Sequence, residues 1–417
     1  MSTTLTHIET QKQLIPALRF KEFEEEWNKR KLSDVCAKIQ DGNYGGSYPK
    51  SEEFVEEGIP FLTSKALGGN GILKEDKVDF LTLEKHQELK KAHLKLNDVL
   101  FTNRGSNVGS IGFTDERIAH GNIGPQLTLL RSNLKIITPH FLYQIMTSNI
   151  IKKQVSSQDS GSAMNFFGIG ATSKFKFSIP SLPEQEKIAS FLSAVDEKIQ
   201  QFTKKKALLE QYKKGVMQQL FSGQVRFKDK NGNLYPDWEE KRFGLEISEY
   251  KGKSKVNDEY EVLTSSNKGL MLQSEYYGEN RLTGRDNLGF NIVPENHITF
   301  RSRSDNRKFT FNLNNLGLTG VISTYYPVFK SSNGSSFFII EMLNYNQNFI
   351  GKYSVGTSQT VLSMSELKRI KFKFPCSEEQ QKIASYLSRI DTKIEAVNNQ
   401  TTQTQTFKKG LLQQMFV

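Results

Sequence analysis

Two cysteines in 417 residues, Cys36 and Cys376, are too few for a disulfide framework or a zinc cluster, so both read as small core or boundary residues. Six histidines are scattered without metal-ligand spacing, and His140 after Pro139 reads as a helix-start residue. No apolar run approaches the roughly 18 residues a membrane span needs. The polar start, residues 1–13, lacks the apolar stretch of a signal peptide. The chain is therefore expected to be soluble and cytoplasmic. There is no Pro-Pro dipeptide, which excludes the Asn/Asp-Pro-Pro-aromatic motif of an amino-methyltransferase. There is also no Gly-x-x-x-x-Gly-Lys-Ser/Thr phosphate loop. Gly168-Ile169-Gly170 lacks the final glycine and the distal acid of a dinucleotide site. Asp237, Glu239 and Lys241 hold nuclease-like chemistry, but crowd it into one repeated element. Metal-dependent cutting needs carboxylates brought together from separate strands, so this element reads as structural.

What is present is charge, aromatic bulk and repetition. A net charge of +11 and a pI near 9.3 favour a polyanionic partner. With 29 Phe and 14 Tyr, the chain can fill the cores of two or three domains. Residues 180–221 recur at 375–416 without a gap at a constant offset of 195, and 18 of the 42 aligned positions are identical. The shared residues include Glu184-Gln185 and Glu379-Gln380, Asp196 and Asp391, and Lys213-Lys214-Gly215 and Lys408-Lys409-Gly410. A second repeat precedes each interval: Arg19-Phe20-Lys21 then Trp27, and Arg226-Phe227-Lys228 then Trp238. Both tryptophans of the chain occupy this one position.

The sequence predicts a long helix for each copy of the repeat. Acid in the first turn at Glu184 suits the helix dipole. Ile188, Leu192, Val195, Ile199, Phe202 and Leu209 form a seam with a period near 3.5, as do Ile383, Leu387, Ile390, Ile394 and Val397. Forty helical residues would span roughly 60 Å. Residues 398–406 are polar and rich in mediocre helix formers, which predicts dependence on packing, or a bend. Lys204-Lys205-Lys206 and Lys213-Lys214 read as a solvated face. The element following the first helix, with its Arg-Phe-Lys and Trp, has its counterpart at residue 19 rather than after the second helix. The halves thus repeat in a circular sense, which predicts adjacent termini, a pseudo-twofold axis and antiparallel helices.

Between these elements lie two intervals of α/β (α+β) pattern that share plan but little detail. Short apolar runs at 59–62, 99–101 and 127–130 read as strands, and 140–151 has helical spacing. Glycine-rich loops at 41–47, 68–71 and 103–110 suit close approach to a ligand. Residues 297–303 parallel 98–104, and 356–360 parallel 161–165. Arginine and amide side chains in such loops pair with guanine and adenine edges, and small polar residues admit phosphates. The candidate contacts are Asn43, Tyr44, Lys65, Asn103, Arg104, Ser106, Asn107, Asn165 and Lys174 in the first interval. In the second they are Ser265, Asn267, Lys268, Arg301, Arg303, Asn306, Arg307, Lys308, Asn333, Ser358 and Gln359.

Two variable intervals, each ending in Pro-x-x-x-Glu-Gln-x-Lys-Ile-Ala-x-(Phe/Tyr)-Leu and Lys-Lys-Gly-(Val/Leu)-(Met/Leu)-Gln-Gln, resemble the specificity (S) subunit of type I restriction–modification enzymes. The resemblance covers nearly the whole chain from Arg19. Residues 1–18 read on their own as a loosely ordered terminus, and the resemblance implies target-recognition domains at 19–180 and 223–375 and spacer helices at 181–222 and 376–417. It further implies a non-catalytic subunit whose two globular domains each read half of a split double-stranded DNA site. The paired helices would then set the unread gap and dock two modification subunits. S-adenosylmethionine would be carried by those subunits, and ATP and Mg by two restriction subunits, with no cofactor on this chain. The other reading is a helical scaffold whose α/β domains bind protein partners.

Overall fold

Each tryptophan of the repeated element is folded onto the start of a long helix. The computed structural model describes residues 14–67, 73–157, 166–267, 269–278, 286–357 and 359–417. The loop at 68–71 and the candidates Asn165, Lys268 and Ser358 lie outside them. The chain divides into two compact units, one comprising Met1–Thr203 with Asn399–Val417, the other Lys204–Asn398. The division falls inside both long helices, Leu182–Phe221 and Ser377–Gln414.

The first unit holds a four-stranded sheet in the order Cys36–Asp41, Leu127–Ser132, Val99–Thr102, Ile111–Phe113. The central run Val-Leu-Phe-Thr is buried throughout, as a strand covered on both faces requires. A second sheet runs Phe54–Val55, Asp79–Leu81, Ile59–Leu62, Asn122–Ile123, its last pair parallel. The second unit repeats this plan. One sheet is Ile247–Tyr250, Val328–Ser331, Ile298–Phe300, Phe311–Leu313; the other is Gly269–Leu272, Glu261–Ser266, Gly320–Ile322, Asn291–Val293. Here too one pair of the second sheet, Glu261–Ser266 with Gly320–Ile322, is parallel. The fold is mixed α/β in both units. The helical spacing at 140–151 resolves into two helices, Pro139–Thr147 and Asn149–Ser157. Thr138 caps the first, and Ser148 breaks it with an extended backbone.

The repeated sequence words contact one another. In the first unit Arg19 donates Nε and Nη2 to the two oxygens of Glu184, each at 2.8 Å, and Trp27 Nε1 donates to the same carboxylate at 3.3 Å. In the second unit Arg226 donates to Glu379 at 2.9 and 2.8 Å, and Trp238 at 3.0 Å. Glu184 and Glu379 are buried, so the bidentate guanidinium and the indole N–H supply what water otherwise would. The following strand, Asn28–Lys31, pairs antiparallel with Lys176–Ile179; Glu239–Arg242 does the same with Lys371–Phe374. The adjacent amide Gln185 ties the helix start to the domain through the carbonyls of Ile136 and Pro180.

The circular repeat is visible as a single joint made twice. The N–H of Val225 donates to the carbonyl of Gln219 at 3.2 Å; the N–H of Leu18 donates to Gln414 at 3.0 Å. Gln219 and Gln414 are equivalent residues, and in the first unit the joint links segments from opposite ends of the sequence. Phe416 lies 6.1 Å from Trp27 and 5.6 Å from Phe141, completing the aromatic core. Burying a side chain of that size stabilises by about 1.5–3 kcal/mol.

Within each unit the helix segments run antiparallel. In the second unit Lys206 Nζ meets Asn398 at 2.7 Å, and Lys213 meets Asp391 at 2.8 Å, one heptad further along one helix and one back along the other. Lys213 also meets Glu341 at 3.0 Å. In the first unit the equivalent pair is Lys408 and Asp196, at 2.5 Å. Lys206 and Lys213 therefore correct the reading of a solvated lysine face: both are half-buried and span between helices, while Lys204, Lys205 and Lys214 are exposed. Ile188, Leu192 and Ile199 are buried in the first unit, where Ile188, Leu192 and Val195 pack in one core with Leu411, Leu412 and Met415. Ile383, Leu387 and Ile390 pack in the second unit's core with Leu220, and Val397 is buried. Phe202, Leu209 and Ile394 are half-buried. The polar tract 398–406 stays helical. Apolar positions buried on either side hold it, and Thr404 Oγ1 bonds back to Gln400 at 2.7 Å.

Candidate functional site

The sheet of each unit delivers one arginine to the surface in the same way. In the first, strand Val99–Thr102 continues into Asn103, whose N–H donates to Gln126 and whose carbonyl accepts from Phe167. Arg104 then bridges Phe166 and lays its guanidinium 4.5 Å from the Phe166 ring centre. In the second, Ser302 donates to Tyr325 and accepts from Leu362, and Arg303 pairs with Val361. The Arg303 guanidinium lies 4.5 Å from the ring centre of Tyr325. Phe166 is 56% exposed and Tyr325 55%. An exposed aromatic carrying a guanidinium on its face leaves the planar edge of the cation free for hydrogen bonding.

Beneath Arg104 lies a buried polar chain. Asn103 is fully buried and donates Nδ2 to Thr128 at 3.0 Å; Thr128 donates to Asp41 at 2.6 Å. Burial pushes the Asp41 carboxyl up, against the bonds from Thr128 and Asn103 that lower it. Asn103 also accepts Arg104 Nε at 3.3 Å. Asn103 is thus corrected from a contact residue to a support, because its side chain is enclosed and engaged. Ser265 is a support as well: half-buried, it accepts Asn312 Nδ2 at 2.7 Å.

Around Arg104 the structure gathers Ser106 and Asn107, both exposed on the same turn. Asn43 and Tyr44 sit at the same sheet end, because Gly42 donates to Leu127 beside the Gln126 that Asn103 uses. Glycine is required at 42: a Cβ there would fall 2.1 Å from the Ile123 carbonyl. Tyr44 is exposed, with Lys91 Nζ 5.7 Å from its ring centre. Lys65 and Lys174 are exposed, on the turn after Ile59–Leu62 and on the turn before Lys176–Ile179.

In the second unit Arg301, Arg303, Asn306, Arg307, Lys308 and Gln359 form one exposed patch. Gln359 donates to Asp305 at 3.3 Å, Asn306 accepts the Lys308 N–H at 3.1 Å, and Arg307 reaches the Gly356 carbonyl at 3.5 Å. Arg307 adopts φ 60°, a left-handed turn in which Asn306 folds back on the loop. Asn267 is exposed and accepts from Thr310. Burial pushes the Tyr326 phenol up, while nearby Arg301 lowers it. Asn333 is a further correction. Strand Val328–Ser331 runs antiparallel to Ile298–Phe300, so Asn333 emerges at the far end from Arg301 and accepts Ser377 Oγ at the start of the second long helix. Phe166 and Tyr325 were not among the sequence candidates. Their role depends on cross-strand placement, which neither side chain signals locally.

A family model described as the type I restriction modification DNA specificity domain matches residues 24–211 and again 236–404. The chain belongs to that family. Each match runs from the tryptophan element into a long helix, the same repeat unit that the contacts define. The chain is 25% identical over 411 residues to the putative type I restriction enzyme MjaX specificity subunit of Methanocaldococcus jannaschii, covering 94% of this chain and 93% of that one. It is 26% identical over 213 residues to the MjaVIII specificity subunit of the same organism, about half of each chain. Among solved structures it shares its fold with the S subunit of a type I restriction–modification system from M. genitalium (TM-score 0.59, 16% identity, 97% and 99% coverage). A chain from work on complex assembly and conformational transition of the type I R-M system is also similar (TM-score 0.52, 16% identity, 93% and 96% coverage). The two arginine–aromatic surfaces therefore lie on the two specificity domains, one on each. Among the described residues, no helix of this specificity chain is long and apolar enough to cross a membrane.

Proposed function

We propose that each specificity domain reads one half of a split double-stranded DNA site, and that the chain does so without chemistry of its own. The observation that carries this is the recurrence of the arginine-on-aromatic element, with the same flanking backbone bonds, in two domains whose other loops differ. Arg104, Ser106, Asn107, Asn43 and Tyr44 serve the first reader; Arg301, Arg303, Asn306, Arg307, Lys308 and Gln359 serve the second. The long helices fix the number of unread base pairs between the halves. They also dock two modification subunits, which carry S-adenosylmethionine, and the assembled enzyme includes two ATP- and Mg-dependent restriction subunits in the cytoplasm. Equivalent helix positions support docking by two like partners: Tyr212 and Phe407, 195 residues apart, are 51% and 55% exposed. Large aromatics left open at the same place in both copies of a repeat suit a partner's apolar surface.

Sequencing of methylated positions in cells carrying the assembled complex tests the proposal. A split motif with a fixed gap is expected, and a continuous motif would overturn it. Inserting helical residues near Thr203 and Asn398 together should change the gap and leave both half-sites intact. On random duplex DNA, retention by the complex should fall steeply with salt while staying higher on the selected motif at every salt concentration; a protein scaffold would show no such selectivity.

A further inference from the structure

Resting on the reading of this chain as a DNA-recognition subunit, we infer that Arg104 and Arg303 are equivalent base-reading residues, each addressing one guanine in its own half-site. Phe166 and Tyr325 are the surfaces that hold their guanidinium planes. The backbone at each arginine is fixed from both sides. The residue before it donates to one flanking segment, at Gln126 or Tyr325, and accepts from the other, at Phe167 or Leu362. The guanidinium carbon then lies over a ring, 4.5 Å from its centre, in each case. A stacked guanidinium keeps its N–H edge in one plane, which matches the side-by-side N7 and O6 acceptors of guanine in the major groove.

Five other arginines among the described residues are held by carboxylates. Arg19 and Arg226 are locked to buried glutamates, and Arg131 pairs with Asp98 at 2.7 Å. Arg117 pairs with Asp115 and Glu75, and Arg369 with Glu366 at 3.0 Å. Arg104 spends only Nε, on the Asn103 amide, and keeps both terminal nitrogens. Arg303 makes no side-chain hydrogen bond among the described residues. An arginine held by a ring rather than by a carboxylate retains its full charge and donors for a ligand. The rings come from opposite flanks of the arginine: Phe166 from the segment that follows it in sequence after the strand Leu127–Ser132, Tyr325 from the segment before Val328–Ser331. The two guanidinium groups therefore lean to opposite sides of equivalent strands, so the guanine each reads need not hold the same place in its half-site.

The test is selection of bound sequences from a random duplex library by the complete modification complex, comparing the natural chain with Arg104→Ala, Arg303→Ala, Arg104→Lys and Phe166→Ala. Arg104→Ala should relax a single G·C pair in one half-site, lowering its preference by about 10- to 100-fold, with the other half-site unchanged. Arg303→Ala should do the same in the other half only. Arg104→Lys should fail to restore the preference, because an ammonium lacks the planar fork. Phe166→Ala should weaken the Arg104 position and no other. Uniform weakening over all sequences would make the arginines phosphate contacts and overturn the inference, as would unchanged half-sites. If the natural chain itself selects no split motif, the underlying function is wrong instead.

Discussion

Arg19 and Glu184 are 165 positions apart in sequence and meet as a bidentate pair, with the Trp27 indole on the same carboxylate. Removing one partner strands the other in a site without water. Glu184→Ala should therefore destabilise the first unit by about 3–5 kcal/mol, and Glu379→Ala the second by a similar amount. Urea unfolding followed by tryptophan fluorescence reads both, since each unit has one tryptophan. Arg19→Met combined with Glu184→Leu should cost much less than either single change, because an apolar pair leaves no unpaired charge.

Lys408 with Asp196, and Lys213 with Asp391 and Glu341, hold the helix segments in register. Burial lowers the Lys213 ammonium, the two carboxylates raise it, and the net direction is up; burial pushes Glu341 up. Asp196→Asn or Lys408→Met should each cost about 1–3 kcal/mol. The exchange Asp196→Lys with Lys408→Asp should recover part of the loss, measurable as a coupling energy in a double-mutant cycle. No recovery would mean the pair is incidental to the register.

Gly215 and Gly410 occupy equivalent helix positions, and a Cβ at either would meet nothing within 4 Å. Each Gly→Ala change should stabilise the isolated chain by about 0.5–1 kcal/mol through helix propensity alone. The thermal midpoint should rise by about 2–4 °C per kcal/mol. If these variants are stabler alone yet assemble poorly with modification subunits, the bare glycine surfaces are where a partner backbone approaches.

Burial pushes the Cys36 thiol up to about 12. In the unfolded chain it ionises near 9.0, so the folded state retains a proton that the unfolded state releases. Stability contributed at this site is therefore lost as pH rises from about 9 towards 12. At pH 8 the native thiol should react with iodoacetamide about a thousandfold more slowly than in urea, as peptide mass spectrometry would show.

The repeat, the helices and their order were legible because each rests on residues that recur at fixed spacing. Glu184 and Trp27 were visible as repeated words, although their contact was not. Lysines 206 and 213 are not legible in the same way, because a charged side chain in a seam looks solvated until its partner on another segment is known. Asn103 and Arg104 are neighbours with opposite fates. One sits under the sheet edge and the other above it, which strand alternation decides and composition does not. Phe166 and Tyr325 became visible only with the backbone bridges that set them beside the arginines.

The joint between Leu18 and Gln414 bears on how the chain is made. The core of the first unit is closed by Leu411, Leu412, Met415 and Phe416, residues translated after the whole of the second unit. Closing a loop of that length costs on the order of 5 kcal/mol in chain entropy, which the aromatic contacts of Phe416 and the adjoining core residues must offset. On the ribosome the second unit is therefore the first that can be completed. The unit begun earliest waits with its hydrophobic core open until the final turn of helix emerges.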